Sequence, residues 1–327
     1  MKSKSLFWLL TTVLLTTAPL ADAQQPKKIH RIGWLEISSP NPEVLRLIGL
    51  FRKGLRDAGY VEGKSIAIEY RYAEGKTERL SQLAAELVHL KVDVIVTAGG
   101  QPTEAAQRAT KTIPIVMAVS GDPVASGFVA SLAQPGGNIT GLSILSPELS
   151  GKRLELLKEV VPGLSRVAVL GYAKANVVTW KEVEAAARSL QLKLQPLEVR
   201  GPDDLARLFQ EAIKARAQGL LTLPHALINR DYRTMIVELA TKHRLPAMYG
   251  GLEFPDVGGL MAYSPDISDN FSRAAVYVDK ILKGRTPADL PVEQPMRFEF
   301  IINLIAAKQI GLTIPPNVLV RATRVIR

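Results

Sequence analysis

Four histidines, His30, His89, His225 and His243, are the obvious candidates for acid–base or metal chemistry, and they lie far apart in the chain. His225 follows Leu223-Pro224 at the end of an apolar run, where a general base could stand, but no serine or cysteine sits at a recognisable nucleophile elbow to partner it. No two histidines have metal-ligand spacing, and the chain contains no cysteine, so thiolate chemistry and disulfides are both excluded. G-x-S-x-G, H-E-x-x-H and a G-x-G-x-x-G after the first strand are all missing. The adjacent carboxylates Asp203-Asp204 follow Pro202 at a helix start, where they complement the helix dipole rather than form an acid–base pair. No catalytic residue and no cofactor or metal site is assigned.

Other residues are suited to holding a small molecule. Ala98-Gly99-Gly100-Gln101-Pro102-Thr103 follows a strand-like run, and its two glycines allow close backbone approach to a ligand. Pro102 fits the first helical position with Gln101 as the cap, so the loop makes a short nest of N–H donors suited to a carboxylate. A tight turn that binds nothing is the competing reading. Ser120 follows the next strand, and Asp122 before Pro123 reads mainly as a turn or cap residue. Trp34, Glu36 and Ser38 follow the first strand, Trp34 being either core or the wall of an apolar slot. Tyr172 to Asn176, His225 and Tyr249-Gly250-Gly251 follow strands of the second half.

These loops matter only if a scaffold brings them together. Short β-rich runs (29–35, 66–72, 92–97, 113–119, 166–170, 192–199, 219–223, 260–263) alternate with helical spacing. Val44, Leu47, Ile48, Phe51 and Leu55 form one such stripe. Leu80, Leu83, Ala84 and Leu87 form another, as do Leu205, Leu208, Phe209 and Ile213, and Phe271, Ala274, Ala275, Val278 and Ile281. Strand followed by helix many times over predicts βαβ units and parallel sheets. Consecutive apolar strand residues such as Val167-Ala168-Val169-Leu170 predict sheets covered on both faces. A break at Pro135-Gly136-Gly137-Asn138 divides the series into two similar α/β lobes, with one crossing near 141–146 and another along the Pro-bordered stretch 287–295. An eight-stranded α/β barrel is the alternative architecture.

At the N-terminus Lys2 and Lys4 precede roughly 15 uncharged apolar residues and Ala21-Asp22-Ala23, the pattern of a cleavable export signal. The apolar run is short of the roughly 20 residues of a spanning helix. Expectation therefore places the mature chain in the periplasm, not inserted in the membrane. The 41 basic and 31 acidic residues are scattered without a basic stripe, which argues against nucleic-acid binding.

The order and spacing of several segments carry a resemblance over 29–326. They are Gly54-Leu55-Arg56-Asp57-Ala58-Gly59-Tyr60, Ile68-Glu69-Tyr70-Arg71-Tyr72, Ile113-Pro114-Ile115-Val116 and Asp122-Pro123-Val124-Ala125-Ser126-Gly127. The most specific is Ser131-Leu132-Ala133-Gln134-Pro135-Gly136-Gly137-Asn138-Ile139-Thr140-Gly141, followed by Ile281-Leu282-Lys283-Gly284 and 287–295. Together they resemble the family of ABC-transporter substrate-binding proteins related to tryptophan/tyrosine-binding receptors. The resemblance implies a type I periplasmic binding fold: two doubly wound parallel-sheet α/β lobes joined by a three-crossover hinge.

On that reading a signal peptide spans 1–23. The N-lobe spans 24–141 and 264–290, and the C-lobe spans 142–263 and 291–327. Gly99 to Thr103 and Ser120 would contact ligand from the N-lobe, and Tyr172, Asn176 and His225 from the C-lobe. The expected protein is a monomeric periplasmic receptor. It hands a small carboxylate-bearing ligand, an amino acid or aromatic acid, to an ABC permease and its ATPase. The carboxylate would cap the helix at Pro102, with aromatic side chains around the ligand body. A hydrolytic α/β enzyme and a ligand-sensing module remain the other classes.

Overall fold

The computed structural model describes residues 29–144, 146–172, 177–295 and 297–327. The expected export signal and Asn176 both lie outside the described residues.

The first lobe starts with β1 (His30–Glu36), α1 (Pro42–Asp57), β2 (Ile66–Tyr72), α2 (Leu80–His89), β3 (Val94–Ala98), α3 (Gly100–Ala109), β4 (Ile115–Val119) and β5 (Ile139–Gly141). Its five strands are all parallel, in the order β2-β1-β3-β4-β5. Local sequence accounts for α1. Asn41 caps it by accepting the Val44 N–H at 3.0 Å, Pro42 occupies its first turn, and Val44, Leu47, Ile48, Phe51 and Leu55 are all buried as their spacing predicts. The stripe on α2 is likewise buried.

The second lobe contains α4 (Ser146–Val160), β6 (Arg166–Tyr172), α5 (Val177–Ser189), β7 (Lys193–Val199), α6 (Asp204–Lys214), β8 (Gly219–Thr222), α7 (Arg233–Lys242), β9 (Ala247–Tyr249) and β10 (Met261–Pro265). The strands β7-β6-β8-β9-β10 repeat the parallel order of the first sheet. Pro196 lies in β7, an edge strand, where its missing N–H breaks no central ladder. After α8 (Ser268–Leu282) come β11 (Phe298–Asn303), α9 (Leu304–Gln309), α10 (Pro316–Leu319) and β12 (Arg324–Ile326). The pair β11–β12 extends the second sheet to seven strands, with β11 antiparallel to β10. Two sheets with separate strand orders replace the barrel alternative.

Helix α8 packs against α1 and the first sheet, although it follows β10 in the chain. Its stripe Phe271, Ala274, Ala275, Val278 and Ile281 is buried there. The helices approach so closely that a methyl on Gly54 would stand 2.6 Å from the Ser272 carbonyl oxygen. The chain therefore passes between the sheets three times: at 142–144, at 266–267 and at 291–295. The first and third passages run side by side. Glu293 donates its N–H to Gly141 O at 3.0 Å, and Ser143 donates to Glu293 O at 2.9 Å. Gly141 makes the turn possible. Its φ is +134°, and a β-carbon there would lie 2.2 Å from Met117 O.

Three local readings need correction. Ile213 is 38% exposed, and Ala212 takes its place on the buried face of α6. At 100° per residue Ala212 falls about 20° from Leu205 around the helix, whereas Ile213 falls about 80° away. Strand β11 was passed over although Phe298, Phe300 and Ile302 alternate along it, because the Pro-rich passage before it and the helix after it framed it as connection. Helix α3 begins at Gly100, not Pro102. Gly99 adopts φ +115°, which only glycine takes readily, so the turn starts earlier; Pro102 then sits where a helix leaves N–H groups unbonded anyway.

Candidate functional site

The carboxyl ends of the parallel strands in the two sheets face each other across a cleft of about 450 Å³. This is where open α/β sheets place ligands, since loops diverge and helix N-termini point outward. The first lobe contributes Gly99, Gly100 and Gln101 at the start of α3, and Ser120, Gly121 and Asp122 after β4. The second contributes Pro224 and His225 after β8, then Asn229 and Arg230, then 250–253 after β9.

The α3 loop is rigidly held. Gly99 donates its N–H to Val119 O at 3.0 Å. Thr103 is fully buried; its hydroxyl donates to Gly99 O at 2.8 Å and accepts from the Thr97 hydroxyl at 2.7 Å. Thr103 thus shapes the loop from behind instead of lining the cleft. The Gly100 and Gln101 amides stand at the helix start, where no intrahelical partner is available. Beside them Ser120 is 2% exposed, and its Oγ has no hydrogen-bond partner among the described residues. Asp122 accepts the N–H groups of Val124 and Ala125, the capping role its sequence context predicts.

Among the described residues, Asn41 Nδ2 donates to Asp231 Oδ1 between the lobes at 3.4 Å, and two further side-chain links join them among the residues that line the cleft or adjoin it. His225 Nε2 stands 3.0 Å from Gln101 Oε1, and His225 Nδ1 accepts the Leu227 N–H at 3.3 Å. Because Nδ1 accepts, the proton resides on Nε2, which donates to Gln101. Burial first, and then the Arg230 charge, lower the imidazole pKa to about 3. With both ring nitrogens engaged and the ring neutral, His225 has no lone pair to act as a base. Tyr172 lies behind it, stacked ring to ring at 4.2 Å, with its hydroxyl donating to Arg200 O.

The second link is ionic. Arg230 Nη1 donates to Glu36 Oε2 at 2.9 Å, with side chains 5% and 1% exposed. Glu36 Oε1 also accepts the N–H groups of Ile37 and Ser38, which is how the backbone of fully buried Ser38 contributes. Burial pushes the Glu36 carboxyl above its ordinary value, while Arg230 and the two amides pull it back. Arg230 and Asn229 belong to Leu227–Asp231, one turn of π-helix, a form that recurs at functional sites.

Of the expected contacts, Gly99, Gly100, Gln101, Ser120 and His225 line the cleft. Trp34 lies in the core instead, packed on Phe51 at 5.1 Å and Phe271 at 6.0 Å. Tyr249 is 1% exposed and stacks on Phe254. The walls are therefore apolar through Ile37, Phe128, Ile144, Leu252 and Ile267 rather than through Trp34 and Tyr249. Sequence reasoning passed over Asn229, Arg230 and Glu253. The signal available was their position: charged and amide residues in loops that follow parallel strands. No group of His, Asp and Glu among the described residues is arranged to hold a metal ion.

Two α/β lobes bridged by side-chain bonds within a solute-sized cleft make a site suited to enclosing a small molecule. The family model for "ABC transporter substrate binding protein" matches residues 41–326, and the chain belongs to that family. It is therefore a substrate-binding protein and not an enzyme. The tyrosine-binding protein of Clostridioides difficile is 27% identical over 255 residues, which is 77% of this chain and 73% of that one. A crystal structure of an ABC domain from Streptococcus pneumoniae in complex with L-Trp superposes with a TM-score of 0.83 at 24% identity, covering 91% of this chain and 100% of that one. A conserved domain protein from Vibrio cholerae gives a TM-score of 0.84 at 29% identity, with the same coverage.

Proposed function

We propose that this chain is the periplasmic receptor of an ABC-type importer and captures a small carboxylate-bearing solute, an amino acid or aromatic acid, by lobe closure. The observation that carries this reading is the Ser120 hydroxyl, buried and without a partner beside the free amides of Gly100 and Gln101. These three donors converge where a carboxylate can accept them, at the positive end of α3. The names of two relatives, one tyrosine-binding and one holding L-Trp, favour the same solute class.

Closure follows from differential affinity. A solute that bonds α3 on one side and the His225–Arg230 turn on the other favours the closed arrangement over an open one. The lobe boundaries at 141/142, 263/264 and 290/291 belong to this proposal, as do release of the closed form to a permease with its ATPase, and a monomeric state. The export-signal pattern supports the periplasmic location, and no helix among the described residues is long and apolar enough to cross a membrane.

A thermal-shift screen of the purified mature protein tests the reading. The panel holds amino acids, aromatic acids and dicarboxylates. At a hundredfold excess over its dissociation constant a ligand adds about 2.7 kcal/mol of apparent stability, a shift of several degrees. If no carboxylate moves the melting temperature while a neutral solute does, the carboxylate site at α3 is wrong.

A further inference from the structure

We propose that the stacked rings of Tyr172 and His225 are the wall that limits how long a solute the cleft accepts, and that they divide it from a second, apolar cavity in the second lobe. This rests on the reading of the cleft as a solute site and adds a size limit to it.

The second cavity measures about 850 Å³ and is lined by β6, β7 and α5. Val169, Trp180, Leu192, Leu194 and Leu223 give it an apolar surface. Neighbouring residues of the chain are shared out between the two spaces. Leu223 lines the cavity, while Pro224 and His225 line the cleft. Trp180 lines the cavity, while Thr179 lines the cleft. Tyr172 also lines the cavity, and its ring lies flat on that of His225, with centroids 4.2 Å apart and planes 4° from parallel. At this point the partition is a pair of rings, one facing each space.

Both rings are held in place. The imidazole is bonded to Gln101 at 3.0 Å and to the Leu227 N–H at 3.3 Å. Tyr172 is buried at the end of β6, in register with Val199, and its hydroxyl donates to Arg200 O at 3.2 Å. Turning either ring aside breaks a hydrogen bond in a buried setting, so the pair is a fixed surface and not a swinging gate. The wall is also tied to the carboxylate nest, because His225 bonds the side chain of Gln101. The room between nest and wall is therefore set in the closed arrangement, and a solute chain that runs toward β6 and β8 meets the rings. Behind them the surface is apolar, so an opened wall admits a hydrocarbon extension and not a polar one.

The test measures binding to the full mature chain by calorimetry for two homologous series. One is phenylacetate, 3-phenylpropionate, 4-phenylbutyrate and 5-phenylpentanoate. The other is L-2-aminopentanoate, L-2-aminohexanoate, L-2-aminooctanoate and L-2-aminodecanoate. In the unaltered chain affinity rises with length up to one member and falls about tenfold or more at the next, the discrimination a close-fitting apolar pocket achieves against added methylenes. Tyr172→Ala with His225→Ala removes both rings, and the fall moves to a longer member of the same series while shorter members still bind. Tyr172→Phe keeps the ring and loses only the bond to Arg200, so the fall stays where it was. Should the double variant fail to fold, Tyr172→Ala alone, which gives His225 space to turn into, makes the same measurement.

A fall at the same member in the folded double variant, or no fall in the unaltered chain, overturns the wall and leaves the carboxylate receptor standing. A fall that moves in Tyr172→Phe as well assigns the limit to the Arg200 bond instead of the ring pair and overturns the proposal too. If no member of either series binds the unaltered chain, both the carboxylate reading and the wall fail.

Discussion

The two lobes share one strand order, and their third strands end in loops that face each other across the cleft, yet those loops are built differently. After β3 the first lobe runs through Gly99 and Gly100 straight into α3, and offers the cleft mainly backbone. After β8 the second lobe passes through Pro224 and a turn of π-helix before α7 begins, and offers the cleft side chains: His225, Asn229 and Arg230. A backbone nest can hold a group common to many solutes, such as a carboxylate, with little dependence on the rest of the molecule. Side chains on an irregular turn can be exchanged without altering the scaffold. The comparison assigns capture to the first lobe and discrimination to the second.

The largest effect on binding is expected from Arg230→Leu. This change leaves Glu36 buried in the closed arrangement with no counter-ion, and removing one partner of a buried pair costs about 3–5 kcal/mol. Opening the cleft rehydrates Glu36, so the penalty falls on closure. Affinity should drop roughly a hundredfold to a few thousandfold. Glu36→Gln in the same chain should restore most of it, because the uncompensated charge is then gone. Calorimetry on the single and double variants checks this. A double variant as weak as the single one would show that Arg230 contacts solute directly.

Gly99→Ala probes the other lobe. At φ +115° a side chain is strained by about 1–3 kcal/mol, so α3 should start later and its amides move off target. Affinity should fall roughly tenfold to a hundredfold for every solute that binds, whatever its side chain. A loss confined to some solutes would break the division between capture and discrimination.

The same contrast explains what was legible in the sequence. The first lobe's helices announce themselves because stripes such as Val44 to Leu55 keep a helical period, and the Gly99-Gly100 pair marks a backbone site by composition. The second lobe's site is hidden because Asn229 and Arg230 sit on a π turn, which has no periodic signature and follows no cap motif. Glu36 and Arg230 are separated by 194 positions, and only the fold pairs them. Trp34 illustrates the opposite failure. Strand alternation places Trp34 and Glu36 on one face, but it cannot tell that α1 and α8 cover Trp34 while Glu36, at the strand end, reaches the second lobe. Strands β9 and β12 have three residues each, too few for any alternation to register.

Acidification offers a graded test of the cross-lobe contact at His225. In the closed cleft its imidazole is held neutral, with a pKa of about 3, by burial and by Arg230, while an open or unfolded arrangement returns it toward 6.5. Between these values the open state binds more protons, so closure is fully favoured above about pH 6.5 and weakens as pH falls through that window. Gln101 opposite is not titratable, and Tyr172 behind it has its pKa raised by burial, so neither supplies the slope. Affinity should decline by up to about tenfold per pH unit between pH 6 and 4, and His225→Gln should flatten the decline. A slope that survives in His225→Gln would move the proton to Glu36 or Glu253.

The smallest effect on binding is expected at Trp34, which makes it a sharp control. Its ring packs between Phe51 and Phe271 under the first sheet, with no atom on the cleft wall. Trp34→Phe removes ring volume from a close-packed core and should lower stability by about 1–3 kcal/mol, read as a fall in melting temperature. It should leave solute affinity within twofold, about 0.4 kcal/mol, because the lost contacts are the same in open and closed states. Phe271 links the two outcomes, since Arg230 lies 5.9 Å from its ring and Trp34 packs against the same ring at 6.0 Å. If Trp34→Phe weakened binding in step with stability, the core of the first lobe would be transmitting to Arg230 through Phe271. Capture and discrimination would then no longer be separable by lobe.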